Sequence, residues 1–349
     1  MKRIIQLDGL RAFAFLAVFA NHAAKVPLMW VGVDVFFVLS GFLITNILLG
    51  IRAMSTPRYF GQFYARRARR ILPPYCIAIL LAIVLRSDVP WRSDWIWMAI
   101  FSSNIPVAFH LANMGPLVPL WSLAIEEHFY LLWPLIILWF ERRTLRTILL
   151  TLVIFIPFLR AAFTPLAHTA GFGYLFIFAF TPFRIDLLAA GSLIALYWEQ
   201  DHKRVIGWQK YAKYIAICTG FCFAVPALLF PVFRAKANSM IFNTLGYSLS
   251  VVTCTALVVY VLTLSGGPIY KLLTNKVIMW LGTISYMCYL VHDIFLELLG
   301  RGTLWQLVGA FALTIVFSAL SWRFIEAPIL GKTRLTKRWP VLPSAPQAE

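Results

Sequence analysis

Charged side chains are scarce in this sequence, and acidic side chains are the scarcest. Only 13% of the 349 residues are Asp, Glu, Lys or Arg, with 14 acidic residues against 31 basic ones. Hydrophobic residues make up 61% of the chain, well above the share found in soluble domains. This composition excludes a water-soluble globular enzyme and favours an integral membrane protein.

Cysteine patterns typical of metal or redox sites are also missing. The five cysteines lie within apolar stretches, and their spacing matches neither a metal-ligand motif nor a redox motif. We interpret them as packing residues and predict no metal site. The sequence also has no clear internal repeat, and inverted repeats are typical of many secondary transporters.

Apolar runs of about 20 residues recur from one end of the chain to the other, as in proteins with many membrane-spanning helices. The runs do not alternate between polar and apolar residues, as strands of a transmembrane β-barrel would. We therefore predict an all-α, polytopic integral membrane protein with about ten transmembrane helices. The predicted spans are residues 10–27, 29–50, 71–86, 119–140, 145–163, 180–198, 212–232, 243–264, 277–300 and 304–325.

The net charge of +17 is explained by where the basic residues lie. Ten spans place most of the Lys and Arg on the side of the N-terminus, as the positive-inside rule describes for cytoplasmic segments. We predict that both termini are cytoplasmic, that the membrane is a bacterial inner membrane, and that no nucleic acid is bound. Residues 93–110 are apolar but short, and we expect them to lie at the outer interface or to re-enter the membrane.

Little of the chain remains for a separate soluble domain once the spans are placed. We predict one membrane-embedded unit over residues 1–330, in contact with membrane lipids. The Pro-rich end of residues 331–349 predicts a disordered cytoplasmic tail.

Arg11 and His22 interrupt the first apolar run and share one face of the predicted helix. Eleven steps of 100° return to within about 20° of the starting direction, and the two residues lie roughly 16 Å apart along the axis. Ionisable side chains inside a membrane usually line a functional cavity. The structural alternative is a membrane-surface anchor at Arg11 and an interhelical hydrogen bond at His22.

Residues 121–134, WSLAIEEHFYLLWP, form the most unusual stretch. Ser122, Glu126 and Tyr130 recur at intervals of four on one helical face, and Glu127 is adjacent to that face. Two carboxylates in an apolar span need a cavity, a partner or water, because an ion facing lipid is costly. Asp34, near the start of the second span, orients a cationic or imidazole group or lies at the outer interface.

Arg66, Arg67 and Arg70 share one helical face within the segment 51–70. Their guanidinium groups suit a polyphosphate, because each can bind two phosphate oxygens at once. The alternative is contact with lipid headgroups. We expect Pro73 and Pro74 to mark the start of the next helix.

Two weaker candidates lie in later spans. Arg184 and Asp186 are two residues apart and point in different directions, so each needs a partner on another helix, and a structural salt bridge is an alternative to catalysis. His292 and Asp293 stand next to each other in the ninth predicted span.

Six stretches, in this order along the chain, resemble the acyltransferase-3 family of integral-membrane acyltransferases. They are DGLRAFAFLAVFANH (8–22), GVDVFFVLSGFLIT (32–45), FYARRARRILP (63–73), WSLAIEEHFYLLWP (121–134), FRIDLLAAG (183–191) and LGTISYMCYLVH (281–292). The resemblance implies transfer of an acyl group, commonly acetyl, from acyl-CoA to a hydroxyl of a cell-surface or lipid-linked saccharide or another acceptor.

The residues can be assigned to that chemistry. His22 can act as a general base or as a transient acyl carrier. Arg11 can stabilise an oxyanion or a leaving thiolate, and Glu126 can orient the imidazole. We expect Ser122, Glu127 and Asp34 to belong to the same catalytic group. We expect four arginines to bind the acyl-CoA: Arg66, Arg67, Arg70 and Arg184. The alternatives are a proton-coupled transporter of a small solute and a non-catalytic scaffold.

Overall fold

The computed structural model describes residues 4–85 and 91–331, which are almost entirely helical and contain no β-strand. The predicted tail lies outside these residues, apart from Gly331. The α-helices of the described residues are α1 (Ile5–Ala24), α2 (Val31–Ile51), α3 (Thr56–Leu85), α4 (Trp91–Ala99), α5 (Asn104–Phe109), α6 (Leu120–Trp139), α7 (Arg142–Thr169), α8 (Gly173–Ala179), α9 (Ile185–Gln200), α10 (His202–Gly207), α11 (Gln209–Leu229), α12 (Tyr247–Leu262), α13 (Gly267–Leu273), α14 (Lys276–Leu299), α15 (Leu304–Ser321) and α16 (Ala327–Gly331). Short π-helical turns, Phe242–Gly246 and Trp322–Glu326, precede α12 and α16.

Seven helices in the described part of the chain are long and apolar enough to cross a membrane. They cover Val31–Ile51, Thr56–Leu85, Arg142–Thr169, Gln209–Leu229, Phe242–Leu262, Lys276–Leu299 and Leu304–Gly331. The all-α integral membrane protein predicted from the sequence is confirmed at this level. Each of the ten predicted spans coincides with a helix, but α1, α6 and α9 fall outside the seven. Polar residues lower the hydropathy of α1 and α6, and α9 has only 16 residues. The count of ten and the cytoplasmic termini therefore stay predictions.

The prediction that Pro73 and Pro74 begin a helix is wrong. Both lie inside α3, which has 30 residues and includes most of the segment that was expected to be a loop. A proline inside a helix leaves the carbonyl four residues earlier without its usual partner, here at Arg69 and Arg70. Among several arginines at the edge of the apolar run, water can satisfy those carbonyls, so the helix continues.

Residues 93–110 fold into the short helices α4 and α5. With 9 and 6 residues, neither is long enough to span the hydrocarbon core. The Tyr75 hydroxyl on α3 donates to the carbonyl of Met98 at 2.8 Å, and its ring stacks on Phe101 at 4.5 Å. The segment is thus fastened to α3, and its placement at the outer interface or as a re-entrant segment stays a prediction.

Close helix packing brings the polar residues of the bundle together. Gly41 on α2 and Gly191 on α9 lie where the two backbones meet, and a Cβ at either position would overlap the main chain of the other helix. At Gly282 on α14, a Cβ would overlap the carbonyl of Asp8 on α1. Small residues permit such close approach between membrane helices. The contact between α1 and α14 positions the candidate site.

Candidate active site

His22 lies in the last turn of α1 and faces two polar residues of α14. Its Nδ1 is 3.0 Å from Nε2 of His292 and 3.7 Å from Oδ1 of Asp293. The guanidinium of Arg301, which follows α14, binds the same Asp293 oxygen. The His22 side chain keeps 29% of its surface exposed, so part of it is accessible.

His292 is fully buried and has a second polar contact. Its Nδ1 is 2.6 Å from the main-chain oxygen of Tyr289, one turn earlier on α14. Sequence reasoning identified the pair at 292–293 but did not place it with His22, because only the packing of α1 on α14 joins them. The adjacent His and Asp in an apolar run were the available signal.

A cavity that is partly open to solvent, with about 570 Å³ of empty space when the open part is included, lies among α1, α2, α6 and α14. Three predicted site residues, Arg11, Ser122 and Glu126, line it together. The remaining polar lining consists of Ser40, Ser285, Tyr286 and Tyr289. Serine and tyrosine hydroxyls, one cation and one carboxylate in an otherwise apolar lining make this cavity suited to a ligand with both polar and apolar parts.

The polar residues of this cavity bind one another. Both carboxylate oxygens of Glu126 accept hydrogen bonds, from Ser40 at 2.6 Å and from Tyr130 at 2.9 Å. Ser122 is 2.6 Å from the Tyr289 hydroxyl, and Arg11 donates to Ser285 at 3.4 Å. The arrangement joins α1, α2, α6 and α14 around one cavity.

His22 itself is not among the residues that line this cavity, and Tyr289 provides the connection. The Tyr289 hydroxyl faces Ser122, while its main-chain oxygen contacts His292, which in turn contacts His22. The neighbours of the His22 imidazole are therefore His292 and Asp293, whereas Glu126, expected to orient it, binds Ser40 and Tyr130.

Glu127 and Tyr286 each have a polar atom without a hydrogen-bond partner among the described residues. These atoms are Oε1 of Glu127 and the Tyr286 hydroxyl, and both are buried. Buried polar groups in folded proteins are nearly always paired, so these two atoms are available to a ligand or water. Tyr286 is one of the residues that line the cavity.

The arginines of α3 lie at the opposite end of α1 from His22. Arg66 and Arg67 line a smaller cavity against Ile47 and Ile51, the end of α2. Arg67 stacks over the Tyr130 ring at 4.6 Å. Arg70 is exposed and close enough to Arg11 for their charges to interact. This basic surface therefore adjoins the cavity through Tyr130 and Arg11.

Arg184 and Asp34 are brought together, but away from the α3 arginines. The Arg184 guanidinium binds the fully buried Asp34 carboxylate, which also accepts a hydrogen bond from Ser250 at 2.6 Å. Asp34 and Ile47 are about 20 Å apart along α2, given 1.5 Å per residue. Arg184 thus lies far from the surface formed by Arg66 and Arg67, in an ion pair that joins α2 to α9.

Three side chains offer ligand atoms close enough together to hold a metal ion. His22, His292 and Asp293 each contribute one, and these atoms lie within 4.8 Å of one another. The Arg301 guanidinium occupies the Asp293 oxygen nearest His22 and would repel a cation there. The donor set has a suitable composition for zinc, but this charge environment opposes it.

Buried ionisable residues around a polar cavity in an apolar helical bundle define an integral membrane protein with a chemical or transport site. Residues 4–323 match the model of the acyltransferase-3 family, described as an acyltransferase domain. The chain therefore belongs to the acyltransferase-3 family, as the six sequence motifs predicted.

Similarity to curated proteins agrees with this assignment. Peptidoglycan O-acetyltransferase OatA of Listeria monocytogenes is 30% identical over 356 residues, which cover 94% of this chain and 56% of the relative. YrhL of Bacillus subtilis, provisionally named a peptidoglycan O-acetyltransferase, is 30% identical over 93% of this chain and 54% of its own length. The chain thus spans little more than half the length of these relatives. No solved structure gives a significant match.

Proposed function

We propose that this chain is a membrane O-acyltransferase that moves an acyl group, acetyl in the first instance, from acyl-CoA to a saccharide hydroxyl. The membrane is a bacterial inner membrane, and residues 1–330 form the catalytic unit. One observation carries the proposal: a cavity with polar groups adjoins the basic surface, and Tyr289 of its lining is connected to the His22 imidazole through His292. The basic surface suits the phosphate end of acyl-CoA, and His22 suits the thioester end.

The basic surface suits the phosphates of the donor. Arg66, Arg67 and Arg70 present guanidinium groups that can each bind two phosphate oxygens. Arg11 lies roughly 16 Å from His22 along α1, and side chains of a helix tilt toward its N-terminus. We therefore assign Arg11 to the bound donor and not to the oxyanion at the reacting carbon.

The cavity suits the arm that joins the phosphates of acyl-CoA to its thioester. That arm carries amide groups, which need hydrogen-bond donors and acceptors along their path. Ser122, Glu126 and Tyr286 line the cavity, and the buried Tyr286 hydroxyl has no hydrogen-bond partner within residues 4–85 and 91–331. These groups support binding of an amide-containing chain in an otherwise apolar interior.

His22 suits the chemical step at the other end. As a general base, its imidazole takes the acceptor's hydroxyl proton while the oxygen attacks the thioester carbon, and CoA leaves as the thiol after taking a proton. As an acyl carrier, the imidazole attacks the thioester first, CoA leaves, and the acceptor hydroxyl then takes the acyl group. Both routes give one ester and one free CoA.

The proposed acceptor is a cell-surface or lipid-linked saccharide. Two relatives are named for O-acetylation of peptidoglycan, so fragments of peptidoglycan glycan strands are the first acceptor to test. If the N-terminus is cytoplasmic, His22 at the end of α1 lies toward the outer side, where such saccharides are found.

Purified protein in lipid nanodiscs, incubated with radiolabelled acetyl-CoA and glycan fragments, tests the proposal. We expect labelled acceptor and free CoA from the wild type. His22→Gln keeps a hydrogen-bonding group but cannot act as a base, so transfer should fall by about 10²–10⁴. His202→Gln, a change at an exposed histidine, is the matched control and should transfer normally. Near-normal transfer by folded His22→Gln would contradict the role of His22.

Donor binding can be tested separately by calorimetry with CoA. Replacing Arg67 and Arg70 by alanine should weaken CoA binding at least about tenfold, because charge-assisted contacts to phosphate are lost. Lys210→Ala with Lys213→Ala removes the same charge from an exposed part of α11. Equal loss of affinity in both double variants would indicate a general charge effect and contradict a phosphate site on α3.

A further inference from the structure

We infer that His292 is a positioning residue that holds neutral His22 in the tautomer with its proton on Nδ1. The other ring nitrogen of His22, Nε2, is then the atom that takes the acceptor's proton or carries the acyl group. The inference rests on the proposed role of His22 and names the residue that prepares it.

The first step concerns the protonation of His292. A main-chain carbonyl can only accept a hydrogen bond, so at 2.6 Å from the Tyr289 oxygen the His292 Nδ1 carries a proton. The His292 side chain is fully buried, and a charged imidazole there would be costly. Neutral His292 therefore has an unprotonated Nε2, which can only accept.

The second step follows at His22. Its Nδ1 lies 3.0 Å from the His292 Nε2, and since that atom only accepts, the His22 Nδ1 must donate. Neutral imidazole carries one proton, so the His22 Nε2 is left with a free lone pair. The chain of hydrogen bonds from Tyr289 through His292 thus fixes which nitrogen of His22 is reactive.

Asp293 acts on His22 through its charge and does not set the tautomer. Its Oδ1 is 3.7 Å from the His22 Nδ1, too far for a hydrogen bond but near enough to stabilise the imidazolium that forms when Nε2 takes a proton. The Arg301 guanidinium binds Asp293 and balances its charge while His22 is neutral. In serine hydrolases one carboxylate both orients and stabilises the catalytic imidazole, whereas here His292 orients it and Asp293 stabilises it.

Two substitutions of His292 distinguish its contact with the Tyr289 carbonyl from its contact with His22. His292→Asn can keep a donor near the position of Nδ1 for the Tyr289 carbonyl, but it is too short to reach His22. His292→Gln extends as far as Nε2 and can present its amide oxygen to the His22 Nδ1. If His292 only fills space, both amides should have similar effects.

The primary measurement is nitrogen NMR of protein labelled with ¹⁵N-histidine, with the His22 signals assigned from their loss in His22→Gln. We expect a protonated Nδ1 and an unprotonated Nε2 at His22 in the wild type and in His292→Gln. In His292→Asn, a substantial fraction of His22 should carry its proton on Nε2. Acetyl transfer should follow, with kcat lowered about 100-fold in His292→Asn but less than about tenfold in His292→Gln, and with KM for acetyl-CoA unchanged in both.

Several outcomes would overturn the assignment. These are a wild-type His22 protonated on Nε2, an unchanged His22 tautomer in His292→Asn, or binding of one equivalent of zinc that His292→Asn abolishes. The NMR result does not depend on activity. A wild type with the expected tautomer but no acetyl transfer would refute the proposed function and leave the role of His292 in fixing the tautomer supported. If His292→Asn fails to fold, His292→Ala replaces it, because it too removes the acceptor that faces the His22 Nδ1, and an unchanged His22 tautomer in that variant overturns the assignment.

Discussion

Carboxylates in this bundle occupy two contrasting environments. Asp34 is fully buried and bound by Arg184 and Ser250. Glu127 has a buried carboxylate oxygen with no hydrogen-bond partner in the part of the chain that the structure describes. Removing one member of a buried ion pair leaves the other charge uncompensated, whereas an unpaired oxygen has no protein contact to lose. The two residues should therefore respond differently to the same chemical change.

Asp34→Asn should lower the free energy of unfolding by about 3–5 kcal/mol, because Arg184 would keep a buried charge without its counter-ion. Glu127→Gln, the matched change, should alter stability by less than about 1 kcal/mol. Thermal unfolding of both variants in one detergent measures the difference. Adding Arg184→Gln to Asp34→Asn should restore part of the loss. Equal melting temperatures for the two single variants would contradict a structural role for the ion pair.

Sequence spacing predicted which residues share a face of one helix, but not which helices meet. The intervals of four in α6 placed Ser122 and Glu126 correctly on one surface, since helical geometry alone decides that. The partners of His22 lie 270 and 271 positions away on α14, and only tertiary packing selects them. For the same reason Arg184, predicted to bind the donor, is found against Asp34.

At the scale of helices, the apolar runs predicted where the long helices lie, because the membrane requires long apolar helices. The predictions failed where a helix depends on neighbours or water. The proline pair inside α3 is tolerated for that reason. The helices α1 and α6, which carry polar residues of the site, are not among the seven described helices that are long and apolar enough to cross a membrane.

The close contact of α2 with α9 gives a testable prediction about helix packing. Gly41→Ala would place a methyl group on the main chain of Leu188, so the helices must separate. We expect a loss of about 1–3 kcal/mol in the free energy of unfolding, as in other overpacked interiors. Gly50→Ala, on the same helix in open space, is the control and should be neutral or stabilising by up to about 1 kcal/mol. Similar melting temperatures for both variants would show that the two helices do not rely on this close approach.

At the scale of the whole molecule, the proposed reaction depends on how the protein is oriented in the membrane. The basic surface of α3 and the imidazole of His22 lie toward opposite ends of α1. If α1 begins on the cytoplasmic side, as the distribution of Lys and Arg predicts, the donor enters from the cytoplasm and the acceptor from outside. This arrangement would let a cytoplasmic acyl donor modify an external saccharide without either crossing the membrane.

Cysteine labelling tests this orientation. In a variant whose native cysteines are replaced by alanine, Val26→Cys introduces a thiol at an exposed position just after α1, near His22. Ser55→Cys introduces one at an exposed position just before α3, near the basic surface. A membrane-impermeant maleimide applied to cells with a permeabilised outer envelope and an intact inner membrane should label the first thiol and spare the second. After the inner membrane is permeabilised, both should react, which controls for accessibility. The reverse pattern would place His22 on the cytoplasmic side, and the acceptor would then have to be a cytoplasmic hydroxyl.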